Sequence, residues 1–233
     1  MLNLGLDSTA VSASVAVADM ENGKVRTYAK FTTRNKMTHS ENLLPMIDHV
    51  LSIYGTDVGK IGLLAVNAGP GSFTGVRIGV ATIKGLAFPN DLPCVGVSTL
   101  ASLAKNVESV GSKVCALMDA RRGQFYYALF ENGVRVTPDG VASAEEIAAG
   151  LSGEVILCGD GAELFASMYK GDAVLRLAPP ECRDQSALSV AICAEELFRK
   201  GEACHGKDLR PVYLRLPQAE RERLEKQAQS SKE

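Results

Sequence analysis

Apolar and polar residues alternate with a period of two over residues 2–7, 12–19 and 24–32, which predicts three consecutive strands. Glu21-Asn22-Gly23 joins the second strand to the third, with glycine where a tight hairpin needs a positive φ. The period then lengthens. Leu43, Met46, Ile47, Val50, Leu51 and Tyr54 recur at helical spacing behind a T-x-x-E capping box formed by Thr38 and Glu41. Pro45 removes one backbone bond from this helix and predicts a bent first turn. An apolar run at 61–68 reads as a buried strand, 74–88 as a largely buried helix and 94–97 as a strand. Ser98 or Thr99 caps a short helix that ends near 107.

The same order then returns. Strands are predicted at 113–119, 124–130 and 134–137, with Glu131-Asn132-Gly133 turning between the last two. Ser143 and Glu146 open a helix that ends at Gly150; strand 154–158, helix 162–169, strand 173–177 and helix 186–200 follow. The pattern βββαβαβα, run twice, predicts an α/β protein with an N-terminal lobe at 1–108 and a C-terminal lobe at 109–216. Residues 217–233 are charged and poor in apolar positions, as expected of a flexible tail. Tandem units of this kind facing across a cleft describe the two-lobed ATPase (ASKHA, RNase H-like) fold of actin, Hsp70 and sugar kinases.

The stretch Gly69-Pro70-Gly71-Ser72-Phe73-Thr74-Gly75 joins the central strand to its helix. Strand, glycine turn and helix can aim backbone N–H groups at an anion, or simply make a tight corner. The spacing is neither a Walker A loop nor a dinucleotide fingerprint. On the helix, Gly75 and Gly79 form one row nearly free of side chains, and Ala81 and Gly85 a second. An interior glycine costs about 1 kcal/mol against alanine. Such rows suit close packing against another helix, of this chain or of a partner.

Composition narrows the classes. The chain has 233 residues, 46% of them hydrophobic and 22% charged, as in a globular protein with a sizeable core. A net charge of −2 gives no overall pull toward nucleic acid, so any RNA must be held by a local patch or a partner. The six cysteines include no C-x-x-C pair, and four lie in apolar runs, as buried free thiols in a reducing cytoplasm would. Met1 to Asp7 carries no secretory signal, and no run reaches membrane-spanning length.

Candidate chemistry gathers at strand ends. Asp7-Ser8-Thr9 could offer hydroxyls to phosphate or make a side-chain turn. With Gly69, Gly71, Arg121, Gly159, Asp160 and Gly161 it composes a candidate nucleotide or anion site. Asp119 and Asp160 could hold a hydrated cation or serve as turns. His39, His49 and His205 lack metal-ligand spacing, Ser72 lacks a nucleophile elbow, and no metal site or catalytic residue is assigned.

Several segments together resemble the TsaB (YeaZ) family. They are Asp7-Ser8-Thr9, His39-Ser40-Glu41 with Leu44-Pro45, Gly69 to Gly79, Asp119 to Tyr126, and Pro211-Val212-Tyr213-Leu214-Arg215. The resemblance runs from residue 1 to about 216. It implies a role in making threonylcarbamoyladenosine at position 37 of tRNA, in partnership with the catalytic subunit TsaD and the small ATPase TsaE. In TsaD a metal is carried by an H-x-x-x-H pair; Thr99 and Leu103 stand at those positions here, and neither can replace histidine. The resemblance therefore implies a non-catalytic subunit with no cofactor of its own beyond weak ATP or ADP binding, the metal being carried by TsaD. It also places a TsaD interface on two helices, at His39, Leu43, Met46, Ile47 and Val50 and at Gly75, Arg77, Ile78, Gly79, Thr82 and Ile83, with a homodimer through the same face when TsaD is absent. tRNA is reached through the complex. The competing expectation is an ATP-dependent phosphotransferase of the sugar-kinase type; a metallopeptidase lacks ligands.

Overall fold

The computed structural model describes residues 1–34 and 39–215, so the Thr38 capping box and the 217–233 tail lie outside the described residues. The first half builds β1 (Leu2–Asp7), β2 (Ala13–Glu21), β3 (Lys24–Thr33), α1 (His39–Tyr54), β4 (Leu63–Gly69), α2 (Phe73–Ala87), β5 (Cys94–Ser98) and α3 (Thr99–Asn106). The second half builds β6 (Lys113–Asp119), β7 (Gln124–Glu131), β8 (Val134–Arg135), β9 (Gly140–Ser143), α4 (Ala144–Ala148), β10 (Glu154–Cys158), α5 (Ala162–Met168), β11 (Val174–Leu177), α6 (Pro180–Arg183) and α7 (Ala187–Arg199). The first sheet has the order β3-β2-β1-β4-β5 and the second β11-β10-β6-β7-β8, which is the same order read from its other edge. In both, the first strand pairs antiparallel with the second and parallel with the fourth. This is the expected two-lobed ASKHA-type fold.

The helices are shared between the lobes. Residues of α1 and α2 cover one face of the first sheet, with Leu43, Met46, Ile47, Val50, Val76, Val80 and Ile83 buried against Leu4, Leu6 and Val66. The opposite face is covered by α7, from the far end of the chain, through Val190 and Ala194 on Leu63, Ala65 and Val95. Conversely, α3 packs on the second sheet: Leu100, Leu103 and Val107 meet Val114, Ala116 and Met118. The outer face of that sheet is closed by Ile147 and Phe165 of α4 and α5. A Lys105–Glu196 ion pair and a Ser189–Asn106 hydrogen bond of 3.0 Å tie α3 to α7 between the sheets. Cys94, Cys115, Cys158 and Cys193 are buried and free, and desolvation pushes the Cys94 thiol up to about 11.

The third strand of the second lobe, predicted at 134–137, is cut short, and a segment beyond it that was not predicted also pairs with β7. β8 stops at Arg135, and β9 resumes the pairing with β7, Gly140 standing opposite Tyr127. Pro138 lies in the gap, where a residue without an N–H cannot carry the ladder. The Ser143–Glu146 capping box forms as read, with both reciprocal bonds present.

The first glycine row faces inward. A Cβ on Gly75 would lie 2.0 Å from the Ser8 carbonyl oxygen, and one on Gly79 would lie 2.5 Å from Ser8 Oγ and 3.0 Å from Leu6. The row is therefore filled by the end of β1, not by a second helix, which corrects the expectation for Gly75 and Gly79. The second row is open: nothing lies within 4 Å of a Cβ on Gly85, and Ala81 is exposed. Gly75→Ala should lower unfolding stability by about 3 kcal/mol through overpacking against backbone, whereas Gly85→Ala should raise it by about 0.5–1 kcal/mol through helix propensity. Urea unfolding midpoints of the two variants check this; effects of equal sign would contradict the assigned faces.

Candidate functional site

In sheets of this order, ligands sit beyond the carboxyl ends of the strands where the chain reverses direction across the sheet. Here the two such points face each other. β1 and β4 end in Asp7 and Gly69 on one side, and β6 and β10 end in Asp119 and Cys158 on the other. Between them lies a cleft of about 360 Å³, lined by Thr9, Pro70, Gly71, Phe73, Asp119, Arg121, Tyr126, Asp160, Tyr213 and Arg215 among others.

The β1 corner is closed by its own side chains. Asp7 is fully buried, and its carboxylate accepts from the Thr9 backbone N–H (3.1 Å), the Thr9 hydroxyl (3.1 Å) and a short bond from Asn67 Nδ2. Asn67 Nδ2 also donates to Ser102 Oγ at 2.8 Å. Burial raises the Asp7 pKa, against the pull of these hydrogen bonds. The Ser8 hydroxyl donates to the Gly75 carbonyl at 2.8 Å. Both hydroxyls expected to meet phosphate are thus inside and occupied.

The glycines tell the same story. Gly69 and Gly71 take φ of 127° and 156°, and a Cβ there would lie 2.2 Å from the Val212 carbonyl and 2.6 Å from that of Thr9. Gly159 and Gly161 let the β10 turn press on Leu117, Met118 and Asp119. Their N–H groups donate to Arg183 and Leu117 carbonyls, and that of Ser72 to the Thr9 carbonyl at 2.7 Å. All four glycines serve close backbone approach, and the part of the predicted anion cradle that rests on the Gly159 and Gly161 N–H groups is not assembled.

Asp119, Arg121 and Asp160 do come together. The Asp119 carboxylate accepts from the Arg121 backbone N–H at 2.7 Å and meets its guanidinium at 3.3 Å. Asp160 opens to solvent at the cleft, yet protein surrounds it closely enough that desolvation, aided by Asp184, Asp119 and Asp7, pushes its pKa up to about 6. Among the described residues no group of three or more His, Cys, Asp or Glu is placed to hold a metal ion. Thr99 and Leu103 are fully buried.

Two features escaped the reading of the sequence. Asn67 is a polar residue inside an apolar strand, which is the signal that it has a buried partner. The segment 211–215 runs through the cleft as a strap: Val212 N–H donates to the Ala68 carbonyl at 2.7 Å, Arg215 Nη1 donates to the Ala120 carbonyl at 2.6 Å, and Tyr213 stacks on Phe73 at 4.9 Å. The interface residues of α1 divide likewise. Leu43, Met46, Ile47 and Val50 are buried in the core, as is Ile83 on α2; Ile78 and Thr82 are half-buried, and Arg77 is exposed over the Phe73 ring at 4.5 Å. His39 is half-buried, with Nε2 bonded to the Ala10 carbonyl at 2.7 Å. Exposed large apolar residues on or next to these two helices include Leu44 and Ile53 on α1 and Phe88 just past α2.

The raised Asp160 pKa has a definite sign. The native chain holds this proton to higher pH than the unfolded chain, so the group favours folding most below about pH 4, and that contribution is lost as pH rises through about 6. Asp160→Asn should therefore raise the melting temperature relative to wild type more at pH 7.5 than at pH 4.5. A pH-independent difference would contradict the assigned environment.

Comparison with known proteins agrees with this geometry. The TsaD family profile, tRNA N6-adenosine threonylcarbamoyltransferase, matches residues 30–222. The tRNA threonylcarbamoyladenosine biosynthesis protein TsaB of Escherichia coli (strain K12) is 33% identical over 222 residues, covering 91% of this chain and 94% of its own length. That of Bacillus subtilis (strain 168) is 31% identical over 210 residues, 85% of this chain and 89% of its own. The solved structure of YeaZ from Pseudomonas aeruginosa superposes with a TM-score of 0.78 at 26% identity, covering 91% of this chain and 99% of that one. No helix among the described residues is long and apolar enough to cross a membrane. With the match spanning both sheets, the cleft and the strap that threads it, the chain belongs to the TsaB (YeaZ) family.

Proposed function

We propose that this chain acts in threonylcarbamoyladenosine biosynthesis as a non-catalytic subunit that binds TsaD and activates it for threonylcarbamoyl transfer to adenosine 37 of tRNA. The observation that carries the reading is the outward row of α2. Ala81 is exposed and Gly85 meets nothing in its own chain, although an interior glycine costs about 1 kcal/mol. A glycine with no internal reason on a smooth helix face, flanked by exposed Arg77 and by Phe88 at 86% exposure, suits close approach of a partner's helix. Leu44 is a further exposed apolar residue, on α1. A second copy would use the same surface when TsaD is absent, since a self-complementary patch suits a twofold axis. TsaE and tRNA join through the assembled complex.

The non-catalytic half of the reading rests on residue chemistry. Thr99 and Leu103, both on α3, offer no usable metal donors, and both are fully buried. A sugar-kinase-type phosphotransferase is disfavoured because the Ser8 and Thr9 hydroxyls that would meet phosphate already bond the Gly75 carbonyl and the Asp7 carboxylate.

Ala81→Arg and Gly85→Arg should abolish co-elution with TsaD on size exclusion without lowering the unfolding stability of the chain by more than about 0.5 kcal/mol, as for surface substitutions. In a reconstituted mixture the same variants should lose threonylcarbamoyl transfer to tRNA. Unchanged co-elution of both variants would overturn the surface, and full transfer without this chain would overturn the role.

A further inference from the structure

The mouth of the inter-lobe cleft has a chemistry that neither the fold nor partner docking requires. Its walls are aromatic: Tyr213 is 42% exposed and stacks on Phe73, and Tyr126 lines the other lobe. Its rim is basic. Arg121 and Arg122 occupy one exposed turn, both held at positive φ (66° and 57°), a conformation bulky residues rarely take. Arg121 is 83% exposed, so its pair with Asp119 is a solvent-screened one and leaves most of its donors available. Inside lie the Asp119 and Asp160 carboxylates, near enough to influence each other, and one further arginine, Arg215, whose Nη1 is bonded to the Ala120 carbonyl at 2.6 Å.

This order of surfaces selects a ligand. A nucleoside triphosphate fits poorly: its phosphates would enter against carboxylates, and the N–H groups of Gly159, Gly161 and Ser72 are already bonded to carbonyls. An acidic peptide meets the same repulsion. A nucleobase does not, because its exocyclic amine donates to a carboxylate while its ring stacks on tyrosine. The cleft, at about 360 Å³, lies at the small end of ligand pockets and holds one base rather than a length of strand. Neighbouring phosphates must then run outside, along the arginine rim.

We propose that the cleft mouth binds single-stranded RNA directly: one unpaired, amine-bearing base lies against Tyr213 and Tyr126 with its amine on Asp119 or Asp160, and flanking phosphates meet Arg121 and Arg122. The inference rests on the tRNA-modification reading for the identity of the RNA, while the stacking and charge argument stands on the cleft alone. The local patch also accounts for how a chain of net charge −2 could touch RNA at all.

The test is fluorescence anisotropy of the full chain with labelled, unstructured oligonucleotides of about 12 residues at about 50 mM salt. Oligo(A) should bind, and oligo(U), which has no exocyclic amine, should bind at least about fivefold more weakly. Tyr213→Ala should weaken oligo(A) binding by about fivefold or more. Arg121→Ala/Arg122→Ala should reduce the slope of log affinity against log salt by about 1.4, the value for two single-strand phosphates. Circular dichroism and melting temperature confirm that the variants fold. No oligo(A) binding at millimolar protein, equal affinity for the two oligomers, or an unchanged salt slope in the double-arginine variant would each overturn the proposal. Co-elution with TsaD, measured on the same variants, separates the two readings: if it persists while RNA binding is absent, only this inference falls.

Discussion

The contact on which the architecture depends is between the second helix and the end of the first strand. Gly75 and Gly79 bring the α2 backbone against Ser8 so closely that no side chain could stand between them. The Ser8 hydroxyl bonds the Gly75 carbonyl, and Ser72 bonds both the Thr9 carbonyl and the Gly75 N–H. From this approach follow the orientation of α2, the burial of Val76, Val80 and Ile83, and the presentation of Ala81 and Gly85 to the outside. It also closes the corner where a phosphate would have to enter. One short contact thus sets which face of the helix points outward and leaves the Ser8 hydroxyl committed to the Gly75 carbonyl.

The two halves share a topology but not a polarity. In the first half the carboxylate at the strand end, Asp7, is buried among Thr9 and Asn67, with Ser102 behind them. Burying a carboxylate is costly unless hydrogen bonds offset it, and this one has three donor groups. In the second half its counterpart, Asp119, is partly exposed and holds only the Arg121 turn. The same fold therefore makes a rigid corner on one side of the cleft and a solvated one on the other. The solvated side and the strap at 211–215 supply much of the cleft's lining.

Much of the fold was legible because period and punctuation agreed. Six-residue β1, the hairpin at Asn22-Gly23, the Ser143–Glu146 capping box and the helix stop at Gly201 each stood where local chemistry placed them. The strand read at 134–137 stops at Arg135, and the β9 pairing beyond Pro138 was not read at all. What sequence could not reveal was which partner a small-residue row meets, since Gly75–Gly79 and Ala81–Gly85 carry the same signal on opposite faces. Glycines at 69, 71, 159 and 161 were equally ambiguous: an anion cradle and a close backbone crossing both demand the absence of a Cβ. The exchange of α3 and α7 between sheets was invisible for another reason. It depends on long-range contacts such as Asn3 with Glu195, 3.0 Å apart in space and far apart in sequence.

The outward face of α2 and the cleft mouth are joined by one rigid element. Phe73, in the first turn of α2, supplies the cleft's aromatic wall and stacks on both Tyr213 and Arg77; Ala81 and Gly85, about two and three turns later, lie on the open face. A partner pressing on that face could reach the cleft only by moving the helix. The Gly75–Ser8 contact leaves no slack for such a movement, because packed backbone resists even small displacements. The helix therefore acts as a fixed beam between two surfaces, and occupation of one should leave the geometry of the other unchanged.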